Sequence, residues 1–286
     1  MMAFPVQASN EKLVRLPLKT PVAALMAIFV FATLTAPGQE EILGPSEHER
    51  EELGVNRYTA PSIAGIFAQL DQLRPLPFDR LRRDLPTASP AARAQRALIF
   101  GGLIADGFLM VEAERKNLVD SFGRILLREA RGLGVGDQVT RHSASLTEKG
   151  KRGDWAGVRA ELTGTQADVE QALISFRDEK IAHLISLGGW LRGLEISAAA
   201  VAAKFNPERG RILAQPELAD YFTEELSTLP PGMIHTVLFE KLRASVNALS
   251  LLLKESASSP LTLTQVKQIE QLAHAANETI QQRDQG

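Results

Sequence analysis

Leu187-Gly188-Gly189-Trp190-Leu191-Arg192-Gly193-Leu194-Glu195 is the stretch that decides the fold. It lies inside a run that stays apolar or small on most faces of a helix, which marks a helix packed on all sides rather than one lying on a surface. Glycine inside a helix costs about 1 kcal/mol relative to alanine, so three glycines in nine residues need a reason. The simplest is steric: without a side chain, another backbone can approach closely. A second stretch has the same character, Ile99-Phe100-Gly101-Gly102-Leu103-Ile104-Ala105-Asp106-Gly107-Phe108. The two are expected to touch in the core.

Working outward, the apolar pattern around the first stretch predicts one long central helix over 166–205, ended by Asn206-Pro207, with Gly164-Thr165 bending or interrupting the chain before it. The second stretch belongs to a helix opening at Ser89-Pro90, an N-cap followed by proline, and running to Glu114. Asn117 is the expected cap of the next helix, which ends at Gly132, Gly134 and Gly136. Asp137 to Lys149 reads as a weaker helix. Gly150 and Gly153 bracket a turn, and Asp154 caps a helix opening at Trp155. Earlier, Pro61 to Leu73 and Phe78 to Asp84 read as helices. Later ones are expected over Glu217 to Ser227, Gly232 to Lys254 and Thr264 to Gln281. No segment alternates with period two, and no Asn-Gly or Asp-Gly turn joins β-branched runs.

The expected fold class is therefore all-α: an irregular multi-helix bundle around the long helix, with stacked αα-hairpins, a short solenoid, as the alternative over Pro90 to Ala160. The predicted organisation is 1–38 as an export signal, 39–58 as an acidic flexible tether with a Ser46…Glu49 capping box, and 59–282 as one helical domain.

Lys12, Arg15 and Lys19 precede an uncharged, mostly apolar run, Thr20 to Gly38. A basic start, a compact apolar core and a small-residue exit describe a secretory signal peptide, cut after Gly38. An uncleaved inner-membrane anchor over 20–38 is the alternative, and the only expected membrane contact. The chain has no cysteine, which excludes thiolate metal sites, disulfides and lipid attachment at cysteine. Together these features predict a bacterial protein that is periplasmic or secreted. The formal charge is −2; the first 38 residues hold three Lys/Arg and one Asp/Glu, so the remainder carries −4. Clusters at Arg80, Arg82, Arg83 and at Lys149, Lys151, Arg152 lack interleaved aromatics, so no nucleic-acid partner is expected.

Asp106 is flanked on every helical side by apolar residues, and a buried charge requires a partner. Arg192 is the natural one, with Glu195 a turn further on. These three residues are the candidate ligand-binding set, a polar pocket for an anionic or amphipathic ligand, set against the competing reading of an ion pair that fixes helix register. Glu179 and His183, four residues apart, make half a metal site. His48, His142, His235 and His274 have no carboxylate pair at ligand spacing. No His-Glu-x-x-His, Gly-x-Ser-x-Gly or phosphate-loop pattern occurs. Gly132-x-Gly134-x-Gly136 is a helix stop. Trp155, Trp190, Phe67, Phe100, Phe108, Phe176 and Phe239 are expected in the core.

No cofactor, metal or catalytic residue follows from these patterns. The leading expectation is a non-enzymatic envelope protein that binds a protein partner or organises an assembly. The alternatives are a carrier of a small apolar or amphipathic ligand, with its cavity between the glycine-bearing helices, and a hydrolase drawing on Asp106, Glu112, Glu195 and His183.

Overall fold

The computed structural model describes residues 63–256 and 258–282. The export signal, the tether and the Ser46…Glu49 box lie outside them. Among the described residues the chain forms twelve α-helices, one 3-10 turn and no strand. This is the all-α, multi-helix bundle that the periodicity predicts.

The helices are α1 (Ile63–Gln72), α2 (Phe78–Leu81), α3 (Arg93–Glu112), α4 (Lys116–Leu133), α5 (Gly136–Arg152), α6 (Trp155–Ser175), α7 (Glu179–Ala203), α8 (Pro207–Gly210), α9 (Pro216–Ser227), α10 (Pro231–Ile234), α11 (Val237–Glu255) and α12 (Leu263–Gln281). The central helix is α7, every residue of which from Ile181 to Val201 is buried. It packs chiefly on α3 and α12; α4, α5 and α6 stack beside α3, and α9, α11 and α12 close the other side. Both α3 and α7 are long and apolar enough to cross a bilayer by length and composition, and both are core helices here.

The central helix starts later than the sequence predicts. The pattern that reads as 166–205 is two helices broken at Phe176–Asp178, where Arg177 adopts φ 58. Both segments are apolar, so periodicity alone does not see the break. Gly164 interrupts nothing. It sits mid-α6, where an added Cβ would lie 2.9 Å from the ring of His142, and its absence gives that ring room. The Ser89 cap also fails. The helix opens three residues later, after Ala92, and Ser89 Oγ instead donates to Glu129 Oε1 at 2.6 Å. Likewise α4 begins at Lys116, so Asn117 is inside it. The run from Gly232 divides at His235–Thr236, because the Thr236 side chain caps α11. Asp154 does cap α6, accepting from Gly157 N at 2.9 Å.

Phe100, Phe108 and Phe239 are buried, as is Trp190, which packs 5.1 Å from Phe222 between ring centroids. Phe176 is not: it is 60% exposed. As the C-cap of α6 it falls on the turn between two helices, outside the stripe that its neighbours form.

Candidate functional site

The glycine pairs set the central geometry. A Cβ on Gly101 would fall 1.8 Å from Ile185 O, and one on Gly188 would fall 2.0 Å from Leu98 O. The backbones of α3 and α7 therefore meet directly, and no space for a ligand remains between the glycine faces. Arg93 pairs with Asp178 where the two helices begin and Asp106 pairs with Arg192 further along both, so the two helices run parallel.

A line of charges follows this seam. Arg192, buried, donates from Nε to Asp106 Oδ1 at 2.7 Å and from NH1 to Glu195 Oε2 at 2.8 Å. Its NH2 donates to the carbonyl of Leu81. Arg83 adds a second guanidinium to Asp106, through Nε at 3.1 Å and NH2 at 2.5 Å. Glu195 also receives Asn277 Nδ2 at 2.9 Å and faces His274 Nδ1 at 2.8 Å. Burial works against the Asp106 carboxylate, yet Arg192 and Arg83 together hold it below its ordinary value. Burial likewise opposes the charge on Arg192, and Asp106 and Glu195 overcome it, raising its pKa. The structure thus brings Asp106, Arg192 and Glu195 together and adds Arg83, His274 and Asn277 from distant segments. The adjoining space, bounded by Gly102, Asp106 and Asn277, is about 10 Å³, at most one water. The contacts tie α3, α7 and α12 to one another at this level of the seam.

The other suspected groups are scattered. His183 sits against Tyr221, its Nδ1 facing the phenolic oxygen in a buried contact, and burial pushes its pKa down. Glu179 lies a turn away on the surface of a groove described below. Among the described residues no group of three potential ligands could hold a metal. His142 does have carboxylate neighbours, brought by α6 rather than by its own helix: Glu161 Oε2 at 2.7 Å from Nδ1 and Asp168 Oδ2 at 3.0 Å from Nε2. Burial would raise Glu161, but hydrogen bonds from Lys149, Ser145 and His142 bring it down to about 2. On the inner side of α6, burial pushes Glu170 up to about 7 despite hydrogen bonds from Gln166 and Ser186.

Among the described residues, concavities also open around α3: one of about 560 Å³ between residues 86–92 and Gln281–Gln282, with Gln95 and Ile99 in its wall, and two more, one at each end of the helix. The larger, about 620 Å³, opens where α3 and α7 begin. Ile181, Pro230, Met233, Leu238 and Phe239 give it apolar walls, and Arg93, Arg177, Asp178, Glu179 and Lys180 border one side. Arg93 pairs with Asp178, and Lys180 with Glu225 at 2.9 Å. Two strongly exposed apolar residues, Phe176 and Val237 (62%), are chain neighbours of the lining. The smaller, about 290 Å³, lies at the far end of α3, where Val111, Glu112 and Glu114 meet Trp155, Ala156, Arg159 and Arg74.

The chain matches no protein family, no curated protein and no solved structure.

Sequence reasoning missed these concavities. Pro230-Pro231 marked only a break, and nothing local announces that Met233 and Phe239 would face residues 92–94 and 177–181. The pairing of Asp71, Arg74 and Glu112 with Arg159 joins three segments with no shared motif.

Proposed function

We propose that this chain is a non-enzymatic helical binding protein of the bacterial envelope, exported on the reading of residues 1–38, and that its working surface is the groove where α3 and α7 begin. The observation that carries this is the groove itself: about 620 Å³ of open, apolar-walled space on a molecule whose glycine seam is closed. The apolar surface does not stop at the groove, since Phe176 and Val237 leave 60% and 62% of their area in water beside it. Large exposed apolar residues next to a concavity mark a surface that another molecule covers. The occupant that fits is an amphipathic polypeptide segment of a partner protein, placing a few large apolar side chains against Met233, Leu238 and Ile181.

A photo-cross-linking residue in place of Met233, with Lys267 on another face as the control position, tests this in envelope extract. The reading predicts one discrete protein adduct from position 233, none from 267, and loss of that adduct in Phe176→Glu and Val237→Glu, which alter exposed side chains only. Identical patterns at the two positions, or an adduct indifferent to both substitutions, would contradict it. The groove volume also falls within the range of small-ligand pockets, about 300–1,000 Å³, which supports a carrier of an amphipathic small molecule as the second reading. That reading predicts a small-molecule mass adduct in native mass spectrometry, displaced by Met233→Glu.

A further inference from the structure

The smaller concavity has a chemistry of its own. Its wall is built from charges that hold one another still. Arg74 NH2 reaches Glu112 Oε1 at 2.5 Å and Asp71 Oδ1 at 2.9 Å. Arg159 grips Asp71 with both NH1, at 2.9 Å, and NH2, and stands 3.7 Å from Glu112. Its guanidinium also lies 4.4 Å from the centroid of the Phe108 ring, so its plane is fixed from two directions. Facing these groups across about 290 Å³ is Trp155, half-buried at the start of α6, with Val111 and Ala156 beside it.

Charge selects the ligand class. A free anion entering here meets Glu112 and Glu114; a free cation meets Arg74 and Arg159. A neutral molecule bearing several hydroxyls suits both, because each hydroxyl donates to a carboxylate and accepts from a guanidinium. The indole supplies a flat apolar face for the C–H side of such a ring. The volume, at the lower limit of small-ligand pockets, fits one ring rather than a chain. Burial, reinforced by neighbouring Asp71, holds Glu112 above its ordinary value in spite of Arg74 and Arg159, so this carboxylate gains from a further hydrogen-bond donor.

We infer that this pocket binds a neutral, hydroxyl-rich ring, a pyranose sugar unit, laid against Trp155 and hydrogen-bonded by Arg74, Glu112 and Arg159. The site stands about 30 Å from the groove, the length of α3 at 1.5 Å per residue, and does not depend on it.

The test is saturation-transfer NMR and tryptophan fluorescence on the full chain, titrated with glucose, galactose, mannose and N-acetylglucosamine. At least one of these neutral sugars should give saturable transfer and change the fluorescence. Trp155→Ala should weaken that sugar about tenfold, the loss expected of a stacked aromatic, and Arg74→Ala, at a half-exposed side chain, should weaken it with the fold intact by circular dichroism. Glucosamine and a glucose phosphate should bind more weakly than the neutral sugar. Val237→Glu, beside the groove, should leave sugar binding unchanged, which separates this site from the partner surface. No saturable binding by any neutral sugar, tighter binding of either charged one, or indifference to both Trp155→Ala and Arg74→Ala would overturn the assignment.

Discussion

Arg192 Nε and Asp106 Oδ1 meet at 2.7 Å across the seam of α3 and α7, with the arginine side chain 1% and the aspartate 15% exposed. Removing Arg192 leaves Asp106 with Arg83 as its one guanidinium partner and leaves the buried Glu195 with none, and breaking a buried charge pair by removing one partner typically costs about 3–5 kcal/mol. Arg192→Ala should therefore lower the thermal midpoint sharply. Unchanged stability by calorimetry would mean that the pair is solvated in solution.

The seam beneath that pair makes a sharper prediction. A Cβ at Gly188 falls 2.0 Å from a backbone oxygen, which no side-chain rotation can relieve. Gly188→Ala and Gly101→Ala should each destabilise by about 1–3 kcal/mol or more through overpacking. Gly65, inside α1, has nothing within 4 Å of its added Cβ, and Gly65→Ala should stabilise by about 0.5–1 kcal/mol. Urea midpoints of the three variants check the contrast.

Glu170 gives a pH signature. Its carboxyl binds a proton more tightly folded, at about 7, than unfolded, near 4.5. The folded state then holds more protons between those values, so this group's contribution is greatest below about pH 4.5 and is lost as pH rises towards 7. Glu170→Gln should flatten that decline. Urea midpoints at about pH 5 and about pH 8 measure it, and an equal decline in wild type and variant would refute the assignment.

Two phenylalanines that look alike in sequence should behave differently. Phe108 has no exposed surface, and Phe108→Ala should cost about 3–5 kcal/mol. Phe176, exposed on a turn, should tolerate Phe176→Ser within about 0.5 kcal/mol. Comparable losses in the two variants would place Phe176 in the core after all.

Much of this architecture was legible because it is local. Periodicity locates the helices, and the glycine pairs with Asp106 and Arg192 foretell which two cross and what joins them. The misreadings share a cause. Ser89 is a good cap by type, but Glu129, forty residues on, takes its hydroxyl at 2.6 Å. Residues 166–205 keep an apolar pattern through a break that only the left-handed Arg177 reveals. His142 gains Glu161 and Asp168 only when α6 folds back along α5. The concavities lie furthest from view, since each is assembled from segments whose meeting is a property of the whole bundle.

The central claim is that the α3–α7 seam is the rigid frame and that binding surfaces sit at its two ends. Hydrogen–deuterium exchange of the full chain tests this most directly. The amides of Leu98–Asp106 and Ile185–Arg192 should be the slowest in the molecule, exchanging only through global unfolding, while those of 176–178 and 230–237 exchange early. Exchange within the seam that runs ahead of the surrounding helices would contradict it.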